Sequence, residues 1–233
     1  MRGGLALWTL FLGFTVLMVG NGLNLAVLGV RMVDEGFDVR ASGAVMACYF
    51  AGFLLGPVLV VRWLSGVGHI RVFASLASLA SCVVLVHFVW VNPVSWGVLR
   101  FVFGFCMAGL YVVVESWLND ASTPSTRGRT LAVYMIASMG GLGLGQLLIA
   151  TGDPSEVTLF VVASILVSRS FVPIALAATT AAPPVRVSPT MKVREFFRTA
   201  PTGMVGILFV GASHGILFGL SAVYATRAGF GPG

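Results

Sequence analysis

The sequence predicts an all-α integral membrane protein: a six-helix transmembrane bundle arranged as a 3+3 inverted repeat, followed by a seventh transmembrane helix. The first observation is composition, since 58% of the 233 residues are hydrophobic and only 9% are charged. A soluble domain carries roughly 25% charged residues to cover its surface, so a soluble fold is excluded. The second observation is a series of long apolar windows, and the third is the placement of glycines within them.

Seven apolar windows are long enough to cross a bilayer, whose hydrocarbon core requires about 20 mostly apolar residues in a helix. Their residues lack the alternation of a membrane β-strand, which favours helices over a barrel. The first window is too long for a signal peptide, so we expect a retained helix. In the third helix we expect Val84 to face lipid. The windows are 5–30, 42–64, 72–91, 94–114, 130–150, 157–178 and 203–224.

The distribution of positive charge predicts the orientation of these helices. Connections on the side of the N-terminus hold nine of the lysines and arginines, and connections on the other side hold three. Cytoplasmic loops carry the excess of positive residues, so we expect a cytoplasmic N-terminus in the cell inner membrane. The net charge of +6 then belongs to loops that face anionic lipid, and no compact basic face suggests a nucleic-acid partner.

The connection after the sixth window differs from the others. Residues 179–201 contain four prolines and four cations, which is typical of a linker between helical units. We therefore divide the chain into an N-terminal six-helix bundle (1–180), a cytoplasmic linker (181–201) and the first helix of a truncated second bundle (202–233). On this interpretation the sequence is a fragment of a 12-helix protein.

Glycines four residues apart occur in the second helix of each group of three. Gly52 and Gly56 lie in the second window, and Gly141 and Gly145 lie in the fifth. Small residues at this spacing let helix backbones approach closely, which favours packing in lipid. Their matching positions indicate an inverted repeat of three helices, and ordinary helix packing without a repeat is the alternative.

Arg100 is the foremost candidate for a functional site, because a charged side chain at membrane depth is costly and must face the bundle interior or a water-filled cavity. Three roles are open to it: binding an anionic substrate, coupling to a proton, or hydrogen bonding to helix carbonyls. We expect its partner to be an acidic or amide side chain on a neighbouring helix. Asn21 and Asn24, which share a face of the first helix, are the nearest in depth.

Two further titratable residues are candidates for substrate binding or coupling. Glu115 lies about 22 Å beyond Arg100 along the fourth helix, too far for a direct pair. There an ion pair with Arg127 or Arg129 is favoured over a coupling role. His214 falls near the middle of the seventh window, where a neutral imidazole suits either a proton relay or simple packing.

Several segments resemble the major facilitator superfamily. RFVFGFCMA (100–108) is similar to the family's fourth-helix motif R-x-x-Q-G-x-G-A-A at Arg100, Gly104 and Ala108. The family's loop G-x-L-A-D-R-x-G-R-R is matched only by Gly68 and a basic end, with Ser65 in place of the aspartate. AGLYVVVESWLNDAS (108–122) and RGRTLAVYM (127–135) look like the YcaD-type bacterial subgroup. The resemblance implies a secondary active transporter that moves a small solute by alternating access.

Other classes of function lack the residues they require. The three histidines are isolated, so we expect no enzyme, metal site or cofactor. A phosphate-binding glycine loop is missing, which excludes ATP-driven transport within this chain. A photoreceptor needs a lysine in the seventh window, and Lys192 lies in the linker. A channel, a receptor and a truncated protein that transports nothing remain as alternatives. The expected partners are the bilayer, a small-molecule substrate and a coupling ion or proton.

Overall fold

The structure is a computed structural model that describes residues 2–176 and, beyond them, the short pieces 198–203, 205–206, 209–211, 213, 217, 224–225 and 228–229. Residues 2–176 are helical apart from short connections and contain no strand. The helices are α1 (Arg2–Asp34), α2 (Val39–Val67), α3 (His69–Val89), α4 (Pro93–Ala121), α5 (Arg127–Leu147), α6 (Val157–Arg169) and α7 (Phe171–Leu176), with a 3₁₀ turn at Leu148–Thr151 after α5.

These helices form six spans that are long and apolar enough to cross a membrane. The spans coincide with the first six predicted windows, so the all-helical membrane fold is confirmed. Most of the linker and more than half of the seventh window lie outside the described residues, and the division into three domains stays a prediction. We call the side on which α1 begins the N-terminal side of the bundle, and the other the opposite side.

Local sequence explains where several helices begin and end. The Asp38 carboxylate accepts a hydrogen bond from the amide of Ala41 at 2.6 Å and caps α2. The Asn92 side chain accepts from the amide of Ser95 at 2.9 Å and caps α4. Side chains of this kind satisfy amides that the first helical turn leaves unpaired. Gly68, with a φ of 88°, joins α2 to α3 in a conformation that favours glycine.

The sixth span is broken at Ser170, between α6 and α7. Pro173 follows three residues later, lacks an N–H and clashes with the carbonyl of the residue four positions earlier. That residue is Arg169, the last residue of α6. The Arg169 side chain is exposed, so it does not point into the bundle core.

The packing of the spans has the symmetry of an inverted repeat. α1 and α4 lie at the centre, α2 packs against α4, and α5 packs against α1. α3 packs against α4, α6 packs against α1, and α3 and α6 also pack against each other. Exchanging the first three helices with the last three leaves this set of contacts unchanged, which is the pattern that a 3+3 repeat requires.

A serine pair joins α3 to α6. These two helices occupy equivalent positions in the two halves of the repeat and contact each other. The hydroxyls of Ser81 and Ser164 are 2.8 Å apart. Each hydroxyl also lies 3.1 Å from the backbone carbonyl of the other serine, within hydrogen-bonding distance. Val84, one turn further along α3, is buried, so the expectation that it faces lipid is wrong. The exposed surface of α3 lies elsewhere because both α4 and α6 cover this helix.

Arg31 ties three elements together on the opposite side. Its guanidinium pairs with the Glu35 carboxylate at 2.6 Å, donates to the carbonyl of Ser155 and lies 5.6 Å from the centre of the Phe88 ring. In the same connection, hydrogen bonding from Ser155 holds the pKa of the Asp153 carboxyl below its usual value. The end of α1 is thereby linked to α3 and to the loop before α6.

Candidate functional site

Arg100 is buried inside the bundle near the opposite side of the membrane. It is the eighth residue of α4, which places it about 10 Å along the axis from the start of that helix. Its side chain is only 2% exposed. A guanidinium at this depth therefore faces protein and not lipid, as the sequence analysis expected.

The partners of Arg100 come from α2. The guanidinium carbon lies 4.5 Å from the centre of the Tyr49 ring, and Nη2 donates to the Met46 sulfur at 3.5 Å. Nε has no hydrogen-bond partner among the described residues, and none of the described carboxylates forms an ion pair with Arg100. A cation over an aromatic ring gains about 0.5–2 kcal/mol, which leaves most of the burial cost of the charge uncompensated.

The expectation that an amide or acidic side chain is the partner of Arg100 is wrong. Asn21 and Asn24 are 8% and 1% exposed, but neither is hydrogen bonded to Arg100. Both polar atoms of the Asn24 amide are without a partner among the described residues. The reason is the close approach of α2 to α4, in which a Cβ on Gly104 would overlap the Tyr49 carbonyl. α2, and not α1, therefore supplies the groups around the guanidinium.

His87 is a buried polar residue near Arg100. Its Nδ1 donates to the Val83 carbonyl at 2.8 Å, and its own carbonyl accepts from Trp96 Nε1 at 3.0 Å. Nε2 has no partner within the part of the chain that the structure describes. His87 and Trp96 flank the short α3–α4 connection. Their positions on either side of it are the feature of the sequence that could have indicated this contact. Within the described bundle, His87 thus adds another nitrogen without a partner near Arg100.

Glu115 lies at the other end of α4, beside a cavity of about 610 Å³. The cavity lies between the end of α4 and the start of α5, on the N-terminal side. Its lining includes Glu115, Ser116, Arg127 and Tyr134. Tyr134 donates its hydroxyl proton to Oε1 of Glu115 at 2.6 Å. A carboxylate and a cation thus line one cavity without being bonded to each other.

The expectation that Glu115 forms an ion pair with Arg127 or Arg129 is wrong. Among the described residues the salt bridge is the one between Arg31 and Glu35. Both arginines are in the first turn of α5 and are exposed. Tyr134 is two turns further along α5, and its ring is buried against the bundle. The phenol therefore reaches the carboxylate, while the side chains of Arg127 and Arg129 stay exposed.

The four glycines predicted to pack helices lie at backbone contacts. A Cβ on Gly52 would overlap the carbonyl of Phe101, and one on Gly56 would lie 2.7 Å from the Cβ of Ala108, both on α4. A Cβ on Gly145 would overlap the carbonyl of Val19, and one on Gly141 would lie 2.7 Å from the Cβ of Met18, both on α1. The two glycine pairs thus occupy equivalent contacts in the two halves of the repeat.

His214 lies outside the described residues, so the structure gives it no position. Among the residues that are described, no group of three or more histidine, cysteine, aspartate or glutamate side chains is placed to hold a metal ion.

A comparison with protein families identifies the family to which this chain belongs. The model of the Major Facilitator Superfamily matches residues 10–233, nearly the whole chain. The chain belongs to the Major Facilitator Superfamily. It is a multi-pass membrane protein of a family whose members bind small-molecule substrates within the membrane, and the resemblance found in its motifs is confirmed.

Curated relatives are of the same type. An MFS-type transporter of Salmonella enteritidis, called YcaD, is 34% identical over 197 residues, which is 80% of this chain and 49% of the relative. An MFS-type transporter of Yersinia pestis is 30% identical over 195 residues, with the same coverage. The chain therefore spans about half the length of the curated relatives it matches.

A solved structure shares the fold. A bacterial homologue of the human lysosomal transporter Spinster, in an inward-facing and unoccupied conformation, superposes with a TM-score of 0.69. The match covers 99% of this chain and 57% of that chain, at 15% sequence identity. This likeness supports the helical arrangement alone.

Proposed function

We propose that this chain is half of a secondary active transporter that moves a small solute across the bacterial inner membrane by alternating access. The proposal assigns transport, and not catalysis, to the polar groups of the bundle. The observation that carries it is the buried guanidinium of Arg100, which forms no ion pair with any of the described carboxylates. The names of the Salmonella and Yersinia relatives, both MFS-type transporters, agree with it.

Arg100 is expensive for the bundle to retain. On insertion scales an arginine costs about 2.5–3.5 kcal/mol at the centre of a membrane helix, which is an upper limit for Arg100 because it lies nearer the opposite side. Asn24 adds two unpartnered amide atoms within the described bundle, also in the half nearer the opposite side. Nε of Arg100 and the amide of Asn24, which have no partner among the described residues, are available to a solute. We assign Arg100, with Asn21 and Asn24, to solute binding.

Glu115 is suited to coupling. Its carboxylate lies at a cavity on the N-terminal side, and its hydrogen bond from Tyr134 connects α4 to α5. α5 packs against α1, so a change of charge on Glu115 acts at a junction between the two halves of the repeat. We assign Glu115 to proton coupling, and His214 to the same role on the sequence pattern alone.

The orientation of the carrier is part of the proposal. Nine lysines and arginines on the N-terminal side against three on the opposite side support a cytoplasmic N-terminus. Reporter proteins fused within residues 183–201 and within residues 152–156 test it. We expect the first fusion to be active as a cytoplasmic reporter and the second as an external one. The reverse pattern would contradict the orientation.

Alternating access is tested by thiol accessibility in the protein expressed from its complete open reading frame. Cys48, Cys82 and Cys106 are first replaced by serine, and cysteines are then introduced at Asn24 and Val112, singly and together. Val112 lines the cavity on the N-terminal side. In a carrier the two sides open in turn, so a bulky reagent fixed at position 112 should change the labelling of position 24 by a membrane-impermeant maleimide.

The control for this experiment is Leu54→Cys, because Leu54 is 77% exposed on an apolar face of α2. We expect a charged maleimide to label it from neither side. Labelling at position 24 that is independent of modification at position 112 would indicate a static pathway, such as a channel. The absence of labelling at both positions would remove the case for a transport pathway through this bundle.

A further inference from the structure

We propose that the solute is an organic anion with a flat aromatic body, whose anionic group binds Arg100 and whose ring stacks on a column of aromatic side chains beginning at Tyr49. This inference rests on the proposed function, because it names the chemistry of the solute at the same site. The aromatic column is defined by five residues: Tyr49, Phe53, Tyr111, Phe14 and Tyr134.

The column starts at the cation. Arg100 lies over the ring of Tyr49. The centres of the Tyr49 and Phe53 rings are 5.8 Å apart, and those of Phe53 and Tyr111 are 5.9 Å apart. Tyr49 and Phe53 are one turn apart on α2, and Tyr111 lies three turns beyond Arg100 on α4. These contacts lead from Arg100 towards the N-terminal side.

The column continues to the carboxylate at the other end of α4. Phe14 of α1 contacts Tyr111 at a centroid distance of 5.5 Å and stacks on Tyr134 at 5.0 Å. Tyr134 then bonds to Glu115. Every contact in this series joins members of α1, α2, α4 and α5, and none involves α3 or α6. Arg100 and Glu115, too far apart to pair, are thus connected through rings on one side of the bundle.

The unpaired guanidinium selects the charge of the solute. An arginine that is 2% exposed and has no carboxylate partner in the described bundle attracts an anion and repels a cation. Its planar set of five donors matches a carboxylate or a similar group, and Nε still lacks an acceptor in the described bundle. A solute carboxylate would supply both the missing charge and the missing hydrogen bond.

The rings select the body of the solute. Aliphatic residues would pack these helices as well, yet four consecutive contacts join aromatic rings. Tyr49, Phe53 and Tyr111 are partly exposed, so part of each ring is free of protein contact. Offset and edge-to-face ring pairs add stabilisation beyond the area they bury, which favours a flat aromatic solute over a saturated one of equal size. The last ring of the column, Tyr134, lines the cavity beside Glu115 on the N-terminal side.

Three small probes separate charge from aromaticity. They are benzoate, its saturated counterpart cyclohexanecarboxylate, and the cation benzylamine. Equilibrium binding of radiolabelled benzoate is measured on the protein from its complete open reading frame in lipid nanodiscs, and the other two are added as competitors. We expect cyclohexanecarboxylate to compete about 2- to 10-fold more weakly than benzoate, and benzylamine not to compete.

Variants assign these effects to residues. Arg100→Gln should weaken benzoate binding about 10- to 100-fold, the range for a lost charge-assisted hydrogen bond, and Arg100→Lys should lose less. Tyr49→Leu should remove the preference for benzoate over cyclohexanecarboxylate. The matched control is Phe101→Leu, because Phe101 neighbours Arg100 in the chain but has 37% of its side chain exposed and lies outside the column.

The outcomes distinguish this inference from the proposed function. Three results with the wild-type protein would overturn the inference. They are no binding of benzoate, equal affinities for benzoate and cyclohexanecarboxylate, and tighter binding of benzylamine than of benzoate. These wild-type results hold even if an Arg100 variant fails to fold. Alternating thiol accessibility without aromatic-anion binding would leave the transport proposal intact, whereas anion binding without alternation would leave the site and remove the transport cycle.

Discussion

Two glycines of α5 that are two residues apart have different surroundings, and substituting each by alanine isolates the value of close helix contact. A Cβ on Gly145 would overlap the carbonyl oxygen of Val19 and lie 2.8 Å from the amide nitrogen of Leu23, both on α1. A Cβ on Gly143 would have no atom within 4 Å. We predict that Gly145→Ala destabilises the bundle and that Gly143→Ala does not.

The magnitude follows from the atoms involved. Overpacking a well-packed contact costs about 1–3 kcal/mol, and the upper end applies to Gly145 because a carbonyl in a helix backbone has no rotamer with which to move away. Alanine favours a helix interior over glycine by roughly 1 kcal/mol, which offsets part of this cost. The expected net loss for Gly145→Ala is therefore about 2 kcal/mol. Gly143→Ala has only the gain in helix propensity of roughly 1 kcal/mol, so the free energies of unfolding of the two variants should differ by about 3 kcal/mol.

The assay is reversible unfolding of the purified protein in mixed micelles by sodium dodecyl sulfate, followed by circular dichroism. Gly52→Ala extends the test to the equivalent contact, because its Cβ would overlap the carbonyl of Phe101 on α4. We expect Gly52→Ala to behave like Gly145→Ala. Equal free energies of unfolding for Gly145→Ala and Gly143→Ala would refute the claim that glycine sets the distance between these helices.

Other contacts give predictions of similar kind. A double-mutant cycle of Ser81→Ala and Ser164→Ala should give a coupling free energy of about 0.6 kcal/mol in micelle unfolding, the mean for hydrogen bonds between membrane helices, and additive effects would contradict it. Tyr134→Phe should lower the unfolding free energy by about 1 kcal/mol, because the Glu115 carboxylate loses its donor, while Phe14 keeps its stacking partner. Arg31→Met should cost about 0.5–1 kcal/mol at low salt and less at high salt, since the pair with Glu35 is partly exposed; a salt-independent loss would point to packing instead.

Much of the fold could be predicted from the sequence because lipid imposes a simple requirement. Every backbone group in the hydrocarbon core must be bonded within its own segment, so a long apolar window has to be a helix. The first six windows are therefore spans, and the spacing of Gly52 and Gly56 marks a side on which α2 can approach another helix. The motif around Arg100 likewise indicated the family before any coordinates were considered.

The partners of the polar residues depended on tertiary structure. Depth along the helix made Asn24 the expected neighbour of Arg100, but depth does not specify which helix lies alongside. The contact of Gly104 with the Tyr49 backbone brings α2 onto α4, and the guanidinium then meets an aromatic ring. Apolar residues facing lipid and apolar residues facing protein are chemically alike, which is why Val84 could not be assigned to the core.

The sequence by itself determined the class of protein, six of its spans and the residues that are costly to bury. Hydropathy is a local property, so it identifies each helix without reference to the helices around it. Only the tertiary structure decided that Tyr134, and not an arginine, bonds to Glu115, and that five rings connect Glu115 to Arg100. Those contacts join residues on four different helices, and the distances between them are set by how the helices pack.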